Sequence, residues 1–447
     1  MRIEFEIPED ILHRLLDPVP LPLMARVHHA IVTPAPIVDV AVLVRRQVAA
    51  YGAAIRPGAR IAVGVGSRGV DKLPEIVKAL VDGLRSLGAE PFIVPAMGSH
   101  GGATAEGQTQ ILAHLGVTEA AVGAPIVSDM TTVVVGTAPD GTSVRLDKHA
   151  VGADGIVFVA RVKPHTAFHS TYESGLAKMI AIGLGKQEGA AACHARGFGE
   201  MGRMVPALAA VAMAKAPILF GVAVVENAFD KAFHIEVVAA ARILSDEPAL
   251  LETARGAMPR IPFDDIDVLI VDEIGKNISG DGADPNITGR YPTPFASGKP
   301  DVNKMVVLDL TAASSGNANG VGMFDYTTVR LARKMDLGQT YPNPLTSTVP
   351  GPVALPMILP NDRLALAAAL LTCYVVGREP RVVRLTNTLT LGAFMVSPGL
   401  LGDVAEQPAL GVVSPAAVLP FDADGDLTDL GVGHAPAETS VLQPGIA

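Results

Sequence analysis

Residues 60–95 read RIAVGVGSRGVDKLPEIVKALVDGLRSLGAEPFIVP, and this stretch decides the fold of the chain. Its first six residues predict an apolar strand, the glycines at 66–69 predict a turn, residues 73–87 have helical spacing, and residues 91–95 predict a second apolar strand. Strand, helix and strand in this order form a βαβ unit with a parallel sheet and a right-handed crossover. Ligands of such sheets bind beyond the carboxyl ends of the strands. The turn GSRG and the loop AMGSHGG at 96–102 are therefore candidate binding loops.

The rest of the chain repeats strand and helix patterns of the same α/β type. Further apolar strands are predicted at 155–162, 218–225, 267–271, 305–310 and 382–385. Alternation at residues 2–6 predicts an edge strand, and residues 237–244 are predicted to be helical, followed by a charged, proline-bearing stretch that ends at Pro262. We predict an α/β protein with two domains, residues 1–262 and 263–447, each with a largely parallel, Rossmann-like sheet flanked by helices. The active site is expected in the cleft between the two domains.

Composition excludes several classes of protein. The 447 residues carry a net charge of −10 and no basic block, which argues against nucleic acid as a partner. The two cysteines, Cys193 and Cys373, cannot form a disulfide framework or an iron–sulfur site, and their scarcity favours a reducing cytoplasm. The apolar run at 205–225 is interrupted by a lysine and a proline, and the run at 364–376 is too short to span a bilayer. We therefore expect a cytoplasmic protein without a membrane segment.

Residues 159–196 concentrate side chains that bind metals or move protons. His165 follows a predicted strand, His194 follows Cys193, and Lys178 lies among small and apolar residues. Histidine titrates near neutral pH and binds metals, and a desolvated lysine can become a covalent anchor. Each residue also has a structural interpretation: a histidine can bond a backbone carbonyl or cap a helix, and a lysine can extend its amine to the surface.

Two more candidates lie in the loops of the βαβ unit. His100 occupies the glycine-rich loop ahead of a helix that Thr104 can cap, where a helix N-terminus favours an anion. Arg68 follows the first strand and suits a carboxylate or a phosphate, although the glycines around it are also typical of a tight turn. The remaining histidines, His169 among them, are interpreted as structural or solvent-facing.

The order and spacing of five motifs resemble those of the nickel-dependent lactate racemase family. The motifs are SRG at 67–69, GSHGG at 98–102, VKPH at 162–165, SGLAK at 174–178 and CHARG at 193–197. The family holds a nickel-pincer nucleotide, a pyridinium mononucleotide with two sulfur-bearing arms on nickel. The resemblance implies that domain 1–262 binds this cofactor and performs catalysis, while domain 263–447 closes over the substrate.

The resemblance also assigns roles to individual residues. It implies that Lys178 carries the cofactor through a thioamide link and that His194 is the protein ligand of nickel, so that these two residues form the metal-binding set. His100 and His165 would be the two acid–base histidines, and Arg68 would hold the substrate carboxylate. Further contacts to the cofactor are expected from Ser67, Gly98 and Ser174.

The implied activity is racemisation or C2-epimerisation of a 2-hydroxy acid by hydride transfer. Tryptophan, which lines the lactate pocket of the founding enzymes, is absent, and the loops at 276–290 and 314–320 are polar. These features predict a polar or sugar acid rather than lactate, with Lys276 and Arg290 as candidate contacts. The expected partners are the small 2-hydroxy acid and the enzymes that make the cofactor, and the sequence leaves the oligomeric state open.

One alternative function stays open. The chain can be a relative without catalysis or cofactor that binds an acidic metabolite as a sensor or carrier. The absence of the family's usual acidic residue near Arg68 favours this alternative, whereas two bases together with a lysine and a metal-ready histidine favour the enzyme. A nicotinamide oxidoreductase is disfavoured because no dinucleotide fingerprint is present.

Overall fold

The structure, a computed structural model, describes residues 7–430. The described chain forms two compact units: a central unit, Thr33–Met258, and a terminal unit that joins residues 7–32 to residues 259–430. The chain thus crosses between units twice, once close to the boundary predicted at residue 262 and once between Val32 and Thr33. Because of the crossing between Val32 and Thr33, residues 7–32 belong to the terminal unit rather than to the unit that follows them in the sequence. The strand predicted at 2–6 lies outside the described residues.

Strands occur in both units. They are β1 Ala25–His29, β2 Arg60–Val65, β3 Glu90–Pro95, β4 Thr132–Thr137, β5 Ser143–Asp147, β6 Gly155–Arg161, β7 Ile218–Glu226, β8 Ala232–Ala239, β9 Asp265–Ile274, β10 Asp301–Leu310, β11 Tyr326–Thr328, β12 Met357–Leu359, β13 Val382–Leu385, β14 Ala393–Val396 and β15 Leu410–Val412.

The helices vary from single turns to five turns. They are α1 Glu9–Leu16, α2 Val40–Ala49, α3 Leu73–Ser86, α4 Ala105–His114, α5 Glu119–Val122, α6 Lys148–Val151, α7 Leu176–Lys178, α8 Lys186–His194, α9 Phe198–Lys215, α10 Ile243–Ala257, α11 Pro285–Thr288, α12 Val329–Lys334, α13 Leu337–Thr340, α14 Pro342–Ser347, α15 Asp362–Thr372 and α16 Leu401–Glu406. Within the described range, no helix is both long and apolar enough to cross a membrane.

The central unit is built on a sheet of order β3-β2-β6-β7-β8. The first four strands are parallel, and β8 runs antiparallel to β7. Helix α3 buries the residues Leu73, Ile76, Leu80 and Leu84, whose spacing places them on one face. The stretch 60–95 therefore forms the predicted βαβ unit, with β2 between β3 and β6, and the apolar strand residues form its core.

The helix predicted at 237–244 is wrong. Residues 232–239 form β8, and helix α10 begins at Ile243 and continues through Pro248, which belongs to the charged, proline-bearing stretch. Proline has no N–H and leaves the carbonyl four residues earlier without a helical partner. The Tyr172 hydroxyl donates a hydrogen bond to this carbonyl, that of Leu244, at 2.5 Å. A side chain from another part of the chain therefore stabilises the helix across the proline.

The terminal unit contains a mixed sheet of order β12-β11-β10-β9-β13-β14-β1-β15. Neighbours from β12 to β13 are parallel, whereas β14, β1 and β15 pair antiparallel. The buried guanidinium of Arg384 donates hydrogen bonds to Asp272 at 2.8 Å and to Asp429 at 2.9 Å, so residues near the end of the described chain are bound to the sheet. Two units with largely parallel sheets flanked by helices confirm the predicted α/β fold class.

Candidate active site

The candidate site lies at the carboxyl edge of the parallel strands in the central unit. Ser67 and Arg68 follow β2, His100 follows β3, and His165 follows β6. Because β2 pairs with both β3 and β6, the loops that leave these strands emerge side by side. Parallel strands thus bring together residues that lie far apart in the sequence.

The loop after β3 holds His100 next to Ser67. The Ser67 hydroxyl is hydrogen-bonded to Nδ1 of the exposed His100 imidazole. Gly98 has a φ of +59°, which favours glycine, and its N–H donates to the Gly183 carbonyl at 3.2 Å. A serine hydroxyl can donate or accept, so this pair is compatible with either tautomer of neutral His100.

The loop after β6 restricts neutral His165 to one tautomer. The Ala167 N–H donates to Nδ1 of His165 at 3.0 Å, and the His165 N–H donates to the buried Glu173 carboxylate at 2.6 Å. Since a ring nitrogen that accepts a hydrogen bond carries no proton, neutral His165 carries its proton on Nε2. Glu173 also accepts from the Ser170 N–H and the Arg255 guanidinium, which fixes the whole loop.

Aromatic rings and positive charges surround the His165 imidazole. Its centroid lies 4.5 Å from that of Phe168 and 5.9 Å from that of Phe198. Although the residue keeps some exposed surface, desolvation holds the His165 pKa well below its ordinary value, and the charges of Lys178, His194, Arg68 and His169 lower it further. His165 is therefore neutral at pH 7. These electrostatic interactions also place Arg68, Lys178 and His194 close to His165.

Lys178 lies on a helical turn whose backbone is held by a buried carboxylate. Lys178 ends helix α7 and leads into a π-helical turn, Met179–Gly183, a feature that is frequent at functional sites. Its amine lies 6.0 Å from the centroid of the Phe168 ring. The buried Glu247 carboxylate accepts the Ala177 N–H at 2.7 Å, and burial raises the pKa of Glu247 to about 7.

His194 ends helix α8 with a property suited to a ligand. Its Nδ1 atom is buried and has no hydrogen-bond partner among the described residues. Desolvation and the charge of Lys178 lower the His194 pKa to about 4, so the ring is neutral at pH 7. Burial raises the pKa of neighbouring Cys193 to about 12, which leaves this thiol protonated and unreactive. A neutral imidazole with an unused nitrogen can bind a metal.

The other predicted contacts lie in different surroundings. Ser174 forms an isolated bridge with Lys163 at the base of the His165 loop. Lys276 and Arg290 belong to the terminal unit. The Lys276 amine donates to the Gly280 carbonyl at 2.5 Å, and the Arg290 guanidinium donates to Asp325 at 2.8 Å and to three backbone carbonyls. Their predicted roles in substrate binding remain predictions.

Several residues of the site carry little signal in the sequence. Glu173 and Glu247 resemble ordinary surface carboxylates, but both are buried and accept backbone N–H groups of the site. Phe168 packs against the His165 ring. His169, interpreted as structural or solvent-facing, contributes to the low pKa of His165. The position of His169 in the same short loop as His165 is the signal that could have grouped the two histidines.

The described residues contain no cluster of three or more His, Cys, Asp or Glu side chains that could hold a metal ion. The predicted metal-binding pair, His194 and Lys178, therefore offers one imidazole nitrogen beside one amine. This donor set fits a cofactor that is anchored to lysine and brings its other metal ligands with it.

Comparisons with known proteins bear on the family. Residues 23–203 match the family model of the lactate racemase N-terminal domain. No curated protein matches the chain. A crystal structure of a protein from Thermotoga maritima is similar at 13% identity over 62% of this chain and 72% of that chain, with a TM-score of 0.45. The lactate racemase apoprotein from Thermoanaerobacterium thermosaccharolyticum is similar at 16% identity over 68% of this chain and 66% of that chain, with a TM-score of 0.41. The segment 23–203, which carries the residues of the candidate site, therefore matches the lactate racemase N-terminal domain, and the chain resembles that family in this segment.

Proposed function

We propose that the chain is a racemase or C2-epimerase of a 2-hydroxy acid that works with a nickel-pincer nucleotide. The observation that carries this proposal is that His165 lies among the charges of Arg68, Lys178 and His194, with His100 at the neighbouring strand end. Among the described residues, His194 also keeps a buried ring nitrogen without a hydrogen-bond partner. The match of residues 23–203 to the lactate racemase N-terminal domain supports the same reaction class.

The cofactor fits the residues present. Lys178 would carry it covalently, and His194 would ligate nickel through a ring nitrogen, a role for which its buried, unpaired Nδ1 is suited. When bound, the cofactor supplies a hydride acceptor, so that an unactivated C–H bond can break without a free carbanion. Gly98, whose φ of +59° favours glycine, would contact this group through its backbone.

The protein side chains then hold the substrate and move its proton. Arg68 binds the substrate carboxylate through two parallel hydrogen bonds. His100 accepts the proton of the C2 hydroxyl on Nε2, because Ser67 can accept a hydrogen bond from Nδ1–H when His100 acts as a base. In the reverse step, His100 or the second histidine would return the proton to the C2 oxygen.

His165 is proposed as the second acid–base group, on the opposite side of the substrate. In its neutral form it donates a hydrogen bond from Nε2 to the substrate oxygen, because Nδ1 accepts from Ala167. To accept a proton, it must exchange this backbone hydrogen bond. The two histidines therefore begin the reaction in different states, His100 as the base and His165 as the donor.

The substrate class is a separate part of the proposal. We propose a polar or sugar acid because the terminal unit carries polar loops at 276–290 and 314–320, in which Ser314 and Asn319 are buried. The Ser314 hydroxyl accepts the Lys276 N–H at 3.1 Å, so the first loop is attached to the second. The additional hydroxyls of such a substrate could form hydrogen bonds with these loops, which the methyl group of lactate cannot.

The decisive experiment combines mass and stereochemistry. The chain is purified after co-expression with cofactor-making enzymes, its nickel content and intact mass are measured, and chiral 2-hydroxy acids deuterated at C2, sugar acids included, are tested for inversion. We expect a mass increase with bound nickel, and inversion with deuterium retained at C2. A bare chain mass without nickel or inversion would overturn the proposal.

A matched pair of variants tests the anchor. Lys178→Ala should abolish the mass increase and the activity, because it removes the amine to which the cofactor is proposed to be attached. Lys215→Ala removes an exposed lysine at the end of α9 and should change neither. Persistence of the adduct in Lys178→Ala would rule out Lys178 as the anchor.

A further inference from the structure

A buried polar network lies beneath the loop that carries His100. Its members are Asp147, Lys186 and Gln108, and none of these three side chains has exposed surface. The Lys186 amine lies 3.1 Å from an Asp147 carboxylate oxygen, and it donates to the Gln108 side-chain oxygen at 3.3 Å and to the Pro95 carbonyl at 2.5 Å. The network thus begins at the last residue of β3, where the His100 loop starts.

Gln108 connects this network to the loop itself. Its side-chain amide donates to the Gly98 carbonyl at 3.0 Å and to the His100 carbonyl at 3.3 Å. Together with the bond from Lys186 to Pro95, the loop backbone is held at three positions from below. The His100 carbonyl belongs to the residue whose ring meets Ser67, so a displacement of the loop displaces the imidazole.

The same network is attached to the segment that carries the proposed cofactor anchor. Lys186 begins helix α8, which ends at His194, and it follows Lys178 by two helical turns. The Asp147 N–H donates to the Leu184 carbonyl at 2.8 Å, and the Gly98 N–H donates to the Gly183 carbonyl. Lys186 itself adopts a φ of +54°, a rarely occupied conformation for a lysine.

Stability of the fold does not explain this arrangement. Burying two charges costs several kcal/mol per ion before pairing, and well-packed apolar residues in place of a buried pair often give equal or greater stability. A left-handed lysine adds strain of the order of 1 kcal/mol. A network of this kind is better explained by the position that it imposes on what it holds.

We propose that Lys186 and Gln108 are positioning residues that fix the His100 loop relative to the segment of Lys178 and His194. The inference rests on the proposed function in one respect, since it assigns the transferred proton to His100. Misplacing a reacting group by about 1 Å can lower a rate about 10²-fold. The network is therefore expected to affect proton transfer more than substrate binding.

The first test compares two glutamines on helix α4. Gln108→Met keeps the length of the side chain but removes its donors, whereas Gln110→Met makes the same change at an exposed position. In the cofactor-loaded protein, Gln108→Met should lower kcat about 10- to 100-fold with little change in KM and with the adduct mass retained. Gln110→Met should match the parent protein.

The second test needs no cofactor. The ¹⁵N shift of His100 Nδ1, measured by NMR in the cofactor-free chain, reports the hydrogen bond with Ser67. Gln108→Met should move this signal toward the position seen in Ser67→Ala, while Gln110→Met leaves it unchanged. This readout separates the two proposals, because it responds to the loop position even if the parent protein forms no adduct and performs no racemisation.

A double variant provides a second test in case Gln108→Met does not fold. Lys186→Met combined with Asp147→Asn removes both buried charges and keeps an oxygen that accepts the His149 N–H, which Asp147 now accepts at 2.8 Å. We expect the same loss of kcat and the same change of the His100 signal. Folded variants with normal kcat and an unchanged signal would overturn the proposal. Failure of both variants to fold would also overturn it, because the network would then serve the fold itself.

Discussion

The loops after β3 and β6 present histidines in opposite environments at neighbouring strand ends. His100 is exposed, and its Nδ1 meets a serine hydroxyl that can act as donor or acceptor. His165 packs against two phenylalanines, and its Nδ1 accepts a backbone N–H that can only donate. The comparison teaches that equal residue types at equivalent strand ends need not have equal roles. The loop after β3 permits a change of tautomer, and the loop after β6 opposes it.

The largest expected effect concerns the proton carrier itself. His100→Gln should lower kcat about 10²- to 10⁴-fold, because glutamine can form hydrogen bonds but cannot carry a proton between substrate and solvent. The adduct on Lys178 should remain in the intact mass. His114→Gln, at an exposed position on helix α4, serves as the control and should retain full activity. Comparable kcat values for the two variants would contradict the assignment of His100 as the base.

The next effect concerns the pH dependence of the free energy of unfolding, to which the buried Glu247 contributes. Glu247 has a pKa of about 7 in the folded chain against an ordinary 4.5, so the folded state retains a proton that the unfolded state loses. Its stabilising contribution is complete below pH 4.5 and is lost as the pH rises to about 7. In Glu247→Gln, the free energy of unfolding should fall less over this interval, by up to about 3 kcal/mol.

The measurement is urea unfolding at a series of pH values. Glu252→Gln, an exposed position on the same helix, is the control and should follow the parent protein. Parallel pH curves for Glu247→Gln and the parent protein would show that the buried carboxyl does not titrate as described.

A smaller effect on activity distinguishes two possible roles of His165, hydrogen-bond donor and base. The amide of His165→Gln reaches the position of Nε2 and can still donate to the substrate oxygen, whereas His165→Asn places its amide near Nδ1 and the Ala167 N–H. We expect the glutamine variant to retain about tenfold more activity than the asparagine variant, which corresponds to about 1.4 kcal/mol for a hydrogen bond. Equal and nearly complete losses in both would identify His165 as an obligatory proton carrier and remove the asymmetry between the two loops.

The smallest effect concerns the partner of His100. Ser67→Ala removes one hydrogen bond to Nδ1 and should lower kcat about fivefold, equivalent to about 1 kcal/mol. Ser67→Thr keeps the hydroxyl and should restore most of the rate. A loss in Ser67→Ala as large as that in His100→Gln would show that the serine itself transfers the proton.

Much of the fold followed from local sequence patterns. The βαβ unit at 60–95 combines an apolar strand, a glycine turn and a helical repeat, and each feature is local. The boundary between β8 and helix α10 could not be predicted in this way. Pro248 signals the end of a helix, and the tyrosine hydroxyl that compensates for it comes from a distant loop.

The site could be predicted only in part for the same reason. His100, His165, Lys178 and His194 stand out because they are reactive residues in glycine-rich segments. The structure brings Lys178 and His194 close to His165, and it places His100 at the neighbouring strand end. The supporting residues do not stand out. Glu247 acquires its role from the N–H group of Ala177, a contact that no pattern in either segment reveals. The cleft between domains and the roles of Lys276 and Arg290 stay predictions.

The path of the chain through its two units has a consequence for biosynthesis. Strand β1 pairs with β14 and β15, whose residues leave the ribosome only after all of Thr33–Met258 has been made. Both sheets of the central unit therefore have all their strands available before the sheet that contains β1 does, and β1 stays unpaired until then. Domains generally fold as units during synthesis, in the order in which they emerge. A nascent chain whose residues up to Met258 have left the ribosome would thus hold a complete scaffold for the proposed proton chemistry before residues 276–290 and 314–320 have emerged.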